Sequence, residues 1–323
     1  MDDETQLDDL FLNHDPTAYV PGALAPIVLV AGAKGGVGTT TIAITAAELA
    51  RTAGDVERVA LVDADPQSAH VATYLRAKTT SQGGKVPTIL DGAVRKDYRR
   101  AVAGPGVINA DHSNRVPDIS MHTVLAPPPL SQDQSAVSPS SYSRALDLLQ
   151  RTFDLVIIDI GTLRGHAPTP LQEAFAYPVL RSGGWLLLVS NSSRPSLQGS
   201  MDTARSLTKD EVVNSQRIFT LVNGRRKSVD EATAKMIADR MAPFSTPLGA
   251  IEYDESGIGD RMESGHIPFT HEGLVPLLSE ALHTITSYPT FAELASGKRK
   301  PGERGVTVVE PTKRRRLIPS RGR

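Results

Sequence analysis

Short apolar runs alternate along the chain with longer segments in which apolar residues recur at helical spacing. Runs of the length of buried strands lie at Ile27–Ala31, Val59–Val62, 155–159, Trp185–Ser190, Ile218–Val222, Leu248–Ile251 and within ISMHTVLAPPP. Segments of helical periodicity lie at Thr40 to about Ala53, in SYSRALDLLQRTF and at Gly273–Thr286. Strands that alternate with helices predict right-handed β-α-β units and a parallel sheet covered on both faces. We therefore expect an α/β fold.

The two ends of the chain differ in charge from the region between them. Residues 1–25 carry six acidic residues and no Lys or Arg, whereas residues 298–323 carry ten basic residues and two acidic ones. That tail has a net charge of +8, which leaves −9 for the other 297 residues. Segments this polar rarely form a packed core. We expect a disordered acidic leader over 1–23, one domain over 24–290 and a disordered basic tail over 291–323, with 77–118 as a peripheral excursion.

Composition excludes several classes of protein. The chain has no cysteine, which rules out disulfides, thiolate metal sites and iron–sulfur clusters. The eight histidines lack the spacing of metal ligands. No apolar run reaches the roughly 20 residues that span a bilayer, and the acidic start differs from the basic start of a signal peptide. We expect a cytoplasmic protein that does not bind membranes.

The segment AGAKGGVGTTTIA, residues 31 to 43, lies between the first predicted strand and the first predicted helix. It is similar to the phosphate-binding pattern G-x-x-x-x-G-K-[ST], in which a lysine follows the last glycine. Here Thr39 occupies that position, and the one lysine of the segment is Lys34. The pattern therefore indicates a phosphate site with an altered lysine, and the alternative is an ordinary glycine-rich turn.

The residue types of this loop suit phosphate. Gly35, Gly36 and Gly38 can adopt backbone angles that turn successive N–H groups toward phosphate oxygens. The helix that follows adds unpaired N–H donors and a favourable dipole. Thr40 stands where the hydroxyl of such a loop ligates Mg²⁺. The loop therefore predicts a phosphate-binding nest with a place for a metal ion.

Acidic residues follow two of the predicted strands. Asp63 and Asp65 end the second strand in LVDADPQ, and Asp159 ends the apolar strand of LVIIDIG. The carboxyl ends of parallel strands lie side by side, and ligands bind there. Acids opposite a phosphate nest are what a Mg²⁺–nucleotide site requires. Each aspartate alone also fits a helix cap or turn, but the three features in this order predict a nucleotide site.

The motifs KGGVGTTTIA, LVDADPQ, FDLVIIDIG and LVN followed by PLGAIEYDES occur in the order and spacing of a known family. Over about residues 26–290 the chain resembles the deviant-Walker ATPases of the ParA/MinD type. The resemblance implies a P-loop NTPase-type parallel sheet with helices on both faces. It also implies ATP and Mg²⁺ as ligands and a homodimer that encloses two ATP molecules.

The resemblance further implies roles for individual residues. Lys34 corresponds to the signature lysine that reaches the partner's phosphates, and Asp65 corresponds to the aspartate that positions the attacking water. Thr40, Asp63 and Asp159 correspond to the residues that support Mg²⁺. The nucleotide-binding residues implied by the resemblance are Gly35, Gly36, Val37, Gly38, Thr39, Thr40 and Thr41 at the phosphates, and Asn223, Glu252, Tyr253 and Asp254 at the adenine base.

The chain departs from the family pattern at two places. Thr39 replaces the second loop lysine, a feature shared with CpaE- and TadZ-like proteins, and Asp159 is followed by Ile160–Gly161–Thr162 instead of Thr/Cys–Pro–Pro. Loss of one charged contact to phosphate costs about 2–5 kcal/mol. We therefore expect ATP binding with weak or partner-stimulated hydrolysis. Metabolic synthetases of the same fold are a further alternative, although they usually keep the loop lysine.

Two functions stay open on sequence grounds. The first is an ATP-dependent dimerising switch that positions or partitions DNA or a macromolecular assembly. The second is a non-hydrolysing scaffold of a secretion, conjugation or pilus apparatus. The basic tail fits nonspecific DNA binding or a plain solubilising end, and it fits a membrane anchor poorly. The leader, with Leu7, Leu10, Phe11 and Leu12 among acids, fits a docking segment for a partner protein or a disordered leader.

Overall fold

A computed structural model describes residues 24–52, 56–110, 112–113, 116–129, 137–225, 231–252 and 258–301, and it gives only the backbone of 225 and 231–234. The expected leader and most of the expected tail therefore lie outside the described residues. No helix within these ranges is long and apolar enough to cross a bilayer.

The strands form one sheet. They are β1 (Ile27–Gly32), β2 (Val59–Asp63), β3 (Val102–Ala103), β4 (His122–Val124), β5 (Leu155–Thr162), β6 (Trp185–Asn191), β7 (Ile218–Arg225) and β8 (Thr246–Glu252). Their order in the sheet is β3–β4–β2–β5–β1–β6–β7–β8. Every neighbouring pair is parallel except β3 and β4, which are antiparallel. The α/β sheet predicted from the sequence is confirmed, with one antiparallel strand added at its edge.

Helices connect the strands and cover both faces of the sheet. They are α1 (Thr39–Thr52), α2 (His70–Tyr74), α3 (Ile89–Arg95), α4 (Pro105–Asn109), α5 (Pro139–Thr152), α6 (Tyr177–Arg181), α7 (Arg194–Lys209), α8 (Glu231–Met241), α9 (Ile258–Glu263), α10 (Val275–Thr286) and α11 (Pro289–Ala295). Short 3₁₀ turns lie at Thr80–Gln82, Tyr98–Ala101 and Ser215–Arg217, and a π turn at Gln172–Ala176 leads into α6.

The core consists of two apolar layers separated by the sheet. Alternate residues of β1 point to opposite faces, so that Val28 and Val30 join the layer of α1, α10 and α11, whereas Leu29 joins the layer of α5, α6 and α7. Each fully buried aliphatic side chain contributes about 1.5–3 kcal/mol. Burial on both faces explains why the central strands are apolar throughout and why the sequence shows them as continuous runs.

Residues 77–118 lie at one edge of the sheet, and they also contribute to the core. Within this segment, the side chains of Val86, Ile89 and Ala101 are fully buried. Its strand β3 pairs with β4, and Thr88 forms a further bridge with Leu125. The segment is therefore an integral edge of the domain as well as a polar excursion.

Packed structure also continues beyond residue 290, where the sequence analysis placed the end of the domain. Ser287 ends α10 in the left-handed conformation, with a φ of 61°, and Pro289 begins α11. Phe291 and Leu294 of α11 are buried against the rest of the core. The proline indicated the end of a helix in the sequence, but proline is equally suited to the first turn of a new one.

Candidate functional site

The loop between β1 and α1 has the geometry of a phosphate nest. Gly36 and Gly38 have φ values of 76° and 93°, a region that side-chain-bearing residues rarely adopt, whereas Gly35 does not have a positive φ. At Gly32 a Cβ atom would lie 2.5 Å from Val37 Cγ2 and 2.9 Å from the Lys34 carbonyl oxygen, because the loop folds back over this residue. Helix α1 starts directly behind the loop, so its unpaired N–H groups face the same space.

Asn223 links the far side of the sheet to this loop. Its Nδ2 donates a hydrogen bond of 2.9 Å to the carbonyl oxygen of Val37, and the same amide lies against the Cα of Gly38. Asn223 follows the predicted strand Ile218–Val222, but β7 continues to Arg225, so Asn223 lies within the strand. In this structure Asn223 therefore holds the loop itself.

Two buried aspartates lie behind the loop on neighbouring strands. Asp63 of β2 and Asp159 of β5 are register partners, and both are fully buried. The Thr40 side chain, in the first turn of α1, hydrogen-bonds to the Asp159 carboxylate, and the Gly161 N–H donates to Asp159 Oδ1 at 3.1 Å. The Asp65 N–H donates to Asp63 Oδ1 at 3.1 Å. The structure thus places Thr40, Asp63 and Asp159 beside one another.

Burial and mutual repulsion disfavour the ionised form of these two carboxyl groups. Burial, followed by the charge of Asp159, raises the pKa of Asp63 well above its ordinary value. Burial raises the pKa of Asp159 to about 6, although the hydrogen bonds from Thr40 and Gly161 act in the opposite direction. Two acids held so close in a low-dielectric interior are stabilised by a nearby cation.

The same residues fit a divalent cation such as Mg²⁺. Asp63 Oδ2 is buried and accepts no hydrogen bond from the described part of the chain, so one carboxylate oxygen is available as a ligand. Hard oxygen donors of the Asp and Thr type are those that Mg²⁺ prefers. Within the described ranges, no group of three or more His, Asp and Glu residues forms an all-protein metal site. A Mg²⁺ ion here would therefore complete its coordination shell with water and phosphate oxygens.

Asp65 packs against Gly161 of β5, a residue that the sequence analysis did not identify as functional. The register of β1 and β5 shifts after the Val30–Asp159 pair, so that Ala31 aligns with Gly161. Gly161 has a φ of 70°, and a Cβ atom there would collide with the Asp65 carboxylate. A residue with a side chain is thus excluded where the family pattern places proline. The sequence signal for this position was the Ile160–Gly161–Thr162 departure itself.

The remaining predicted residues lie at different distances from this centre. Lys34 is exposed, Val37 is buried, and Thr41 lies in the first turns of α1. Thr39 begins α1, one residue earlier than expected, with its methyl group beside Gly32. Glu252 is exposed at the end of β8, which β6 and β7 separate from β1. The predicted base-binding residues Tyr253 and Asp254 lie outside the described residues.

Comparison with known families agrees with this geometry. Residues 28–258 match the model of the CobQ/CobB/MinD/ParA nucleotide binding domain. The chain belongs to this family. The match covers well over half of the sequence and contains the glycine loop, both buried aspartates and Asn223. No curated protein sequence matches the chain at a significant level.

Solved structures share the fold of this MinD/ParA-family chain at low sequence identity. A ParA family ATPase from Chlorobium tepidum is 18% identical with a TM-score of 0.56, over 80% of this chain and 99% of that one. A complex of a Cyanothece McdA variant with ATP is 20% identical with a TM-score of 0.57, over 81% and 97%. MinD from Pyrococcus horikoshii with Mg-ADP is 16% identical with a TM-score of 0.57, over 86% and 97%.

Proposed function

We propose that this chain is an ATP-binding switch that dimerises in the presence of Mg²⁺ and ATP and positions DNA or a macromolecular assembly. The observation that carries the proposal is the pair of register-matched aspartates, Asp63 and Asp159, behind a glycine loop whose Thr40 hydroxyl contacts Asp159. A nucleotide triphosphate with its metal ion is the ligand that satisfies both the anion-binding loop and the acids behind it.

The glycine loop would bind the phosphates, and the acidic residues would bind the metal ion. The N–H groups at Gly36, Gly38 and the start of α1 would hold the phosphates, with Gly35 and Thr41 flanking them. Thr40, Asp63 and Asp159 would support Mg²⁺. The ion would supply positive charge beside the phosphates. The ATP and Mg-ADP present in the two structural neighbours named above support this choice of ligand.

Hydrolysis would depend on Asp65 and on the positive charge that lysine side chains bring to the phosphates. Asp65 is partly exposed and lies against Gly161, beside the two buried acids, which suits a residue that orients the attacking water. Thr39 offers a hydroxyl where the family has a second lysine. We expect the resulting loss of positive charge at the transferring phosphate to leave only slow hydrolysis, unless a partner protein supplies a cation.

Dimerisation would use Lys34. Its side chain is exposed, so it is available to the phosphates of a second subunit. Two chains placed face to face would each complete the other's site.

The cargo would be DNA or an assembly contacted through the basic tail, with the acidic leader serving a partner protein. For adenine recognition, Asn223 would use its Oδ1 and the second N–H of its amide, which the Val37 contact leaves available. Glu252, Tyr253 and Asp254 would be further contacts to the base.

One observation favours a second candidate, a scaffold of a secretion, conjugation or pilus apparatus that does not hydrolyse ATP. Thr39 removes the lysine whose charge stabilises the β- and γ-phosphates. A scaffold of this kind would dimerise without a nucleotide cycle. The two candidates differ in whether self-association depends on Mg-ATP.

Sedimentation velocity with and without Mg-ATP separates these candidates. We expect the wild-type chain to shift from monomer to dimer with Mg-ATP, and Lys34→Ala to weaken the dimer at least tenfold, because a phosphate contact is lost in each subunit. Thr39→Lys should strengthen ATP binding and raise hydrolysis. Lys209→Ala, another exposed lysine, is the matched control and should behave as wild type. Dimerisation that is independent of Mg-ATP and unaffected by Lys34→Ala would support the scaffold instead.

A further inference from the structure

A basic surface lies at the edge of the sheet that ends with β3. Residues 76–100 contain seven basic and two acidic residues, a net charge of +5. Residues 298–323 carry a net charge of +8 and the whole chain carries −1. The 272 residues outside 76–100 and 298–323 therefore carry −14. Four of the basic residues fall within six positions at the end of α3 and in the following 3₁₀ turn, and all are exposed. We call Arg95, Lys96, Arg99 and Arg100 the edge cluster.

The corner of the backbone that carries the edge cluster is tightly packed. A Cβ atom at Gly92 would lie 3.0 Å from Ala101 Cβ and 3.1 Å from Tyr98 Cα, so α3 and the 3₁₀ turn approach each other closely. Lys96 ends α3 in the left-handed conformation, with a φ of 54°. Beneath the corner, Ile89 and Ala101 are fully buried. The cluster is therefore displayed from a defined surface of the core.

Asp97 orders part of the cluster without neutralising it. It accepts hydrogen bonds from Arg99 Nε at 3.0 Å and Arg99 Nη2 at 3.2 Å, and it lies 3.7 Å from Arg100 Nε. These arginine side chains nevertheless stay 47% and 51% exposed. One acid against four bases leaves a net charge of +3 over these six residues.

Stability of the fold does not account for such a cluster. Like charges that are held close together repel, and exposed ion pairs contribute only about 0–1 kcal/mol. Val94, immediately before the cluster, is 70% exposed and adds nothing to the core. The free energy of this arrangement improves only when an anionic partner covers it.

We propose that the edge cluster binds the phosphate backbone of DNA, as a second contact surface on the folded domain in addition to the tail. The proposal rests on the proposed function only in taking DNA as cargo. Arginine forks match phosphate oxygens, and three of the four residues are arginines. Tyr98, the nearby aromatic side chain, is only partly exposed and packs beside Gly92, so it offers no free face for a base. The contact therefore carries no sequence preference.

DNA fits the charge distribution better than a compact acidic protein. Two separate basic regions, the edge cluster and the tail, occur on a molecule that is otherwise strongly acidic. A long linear polyanion can contact both regions at once and gains from their combined effect.

The test measures affinity of the full-length chain for a labelled random-sequence duplex at a series of salt concentrations, without nucleotide. The variant Arg95→Gln, Lys96→Gln, Arg100→Gln keeps the Arg99–Asp97 pair that orders the corner. We expect at least a tenfold loss of affinity at moderate salt and a slope of log K against log salt that is smaller by roughly 2–3, since each phosphate contact contributes about 0.9.

The matched control removes the same charge from other exposed positions, as Lys209→Gln, Lys235→Gln, Arg240→Gln. Fluorescence of Trp185, the one tryptophan, reports folding of every variant. Equal slopes for the edge and control variants would overturn the proposal. So would a loss confined to poly-glutamate binding, which would assign the surface to an acidic protein. DNA binding that depends on the cluster, in a chain without ATP-dependent dimerisation, would uphold this inference and reject the proposed switch.

Discussion

The centre and the β3 edge of the sheet carry charge in opposite ways. At the centre, Asp63 and Asp159 are acids buried on adjacent strands, and their environment raises their pKa values. At the edge, the basic cluster is exposed and water screens it. A buried charge interacts strongly over short distances, whereas an exposed one acts weakly unless a multivalent partner gathers several contacts. The centre is thus built for one small, highly charged ligand, and the edge for an extended one.

The glycines of the loop provide the largest expected effect at the centre. Gly38→Ala adds a Cβ atom that collides with the Asn223 amide, at a φ of 93° that alanine tolerates poorly. We expect ATP affinity to fall at least a hundredfold and stability to fall by about 2 kcal/mol. Titration calorimetry and thermal unfolding measure the two quantities.

Two neighbouring glycines serve as controls for this change. Gly35 has open space where its Cβ atom would stand and no positive φ, so Gly35→Ala should retain the fold and lose less affinity than Gly38→Ala. Gly36 also has open space, but its φ is 76°, so Gly36→Ala should lose about 1 kcal/mol from backbone strain alone. Equal affinities for the variants at 35, 36 and 38 would contradict the assignment of the loop geometry.

Neutralising one buried acid should affect stability and function in opposite directions. Asp63→Asn removes an acid whose ionised form is disfavoured by the fold, so we expect the free energy of unfolding at neutral pH to rise by about 1 kcal/mol. The Mg²⁺ concentration needed for ATP binding should rise at least tenfold, since a metal-supporting oxygen is lost. The stability gain should persist at high salt, because buried charges are poorly screened.

The edge variant provides the contrast to Asp63→Asn. Neutralising three exposed bases should change stability by less than about 0.5 kcal/mol, and added salt should abolish the change. The edge variant should leave Mg-ATP binding unchanged. A salt-sensitive effect of Asp63→Asn, or a salt-insensitive effect at the edge, would contradict the distinction between the two regions.

The sequence was sufficient for the centre of the molecule because local rules govern it. An apolar run, a glycine loop and a helix are contiguous in β1 and α1, and the strands that carry Asp63 and Asp159 are apolar because both faces are covered, although β5 continues past Asp159 to Thr162. Parallel order then places their ends together. The topology brings the start of α1 beside β5, and the Thr40 side chain hydrogen-bonds to Asp159.

The features that sequence analysis missed depend on distant contacts or short elements. The hydrogen bond from Asn223 to Val37 joins residues 186 positions apart, and the role of Gly161 depends on where Asp65 folds. Strand β3 has only two residues, too few for a periodic signal. Helix α11 follows a proline that also fits the end of a helix, so its two buried apolar residues were assigned to the tail.

Titration of ATP into the wild-type chain, with Mg²⁺ and then with a chelator, tests the central claim most directly. We expect saturable binding with one ATP per chain, which tightens at least tenfold when Mg²⁺ is present. It also predicts that Asp159→Asn removes this dependence on Mg²⁺, because Thr40 loses its charged partner. No saturable binding of ATP in the presence of Mg²⁺, or an affinity that Mg²⁺ does not change, would contradict it.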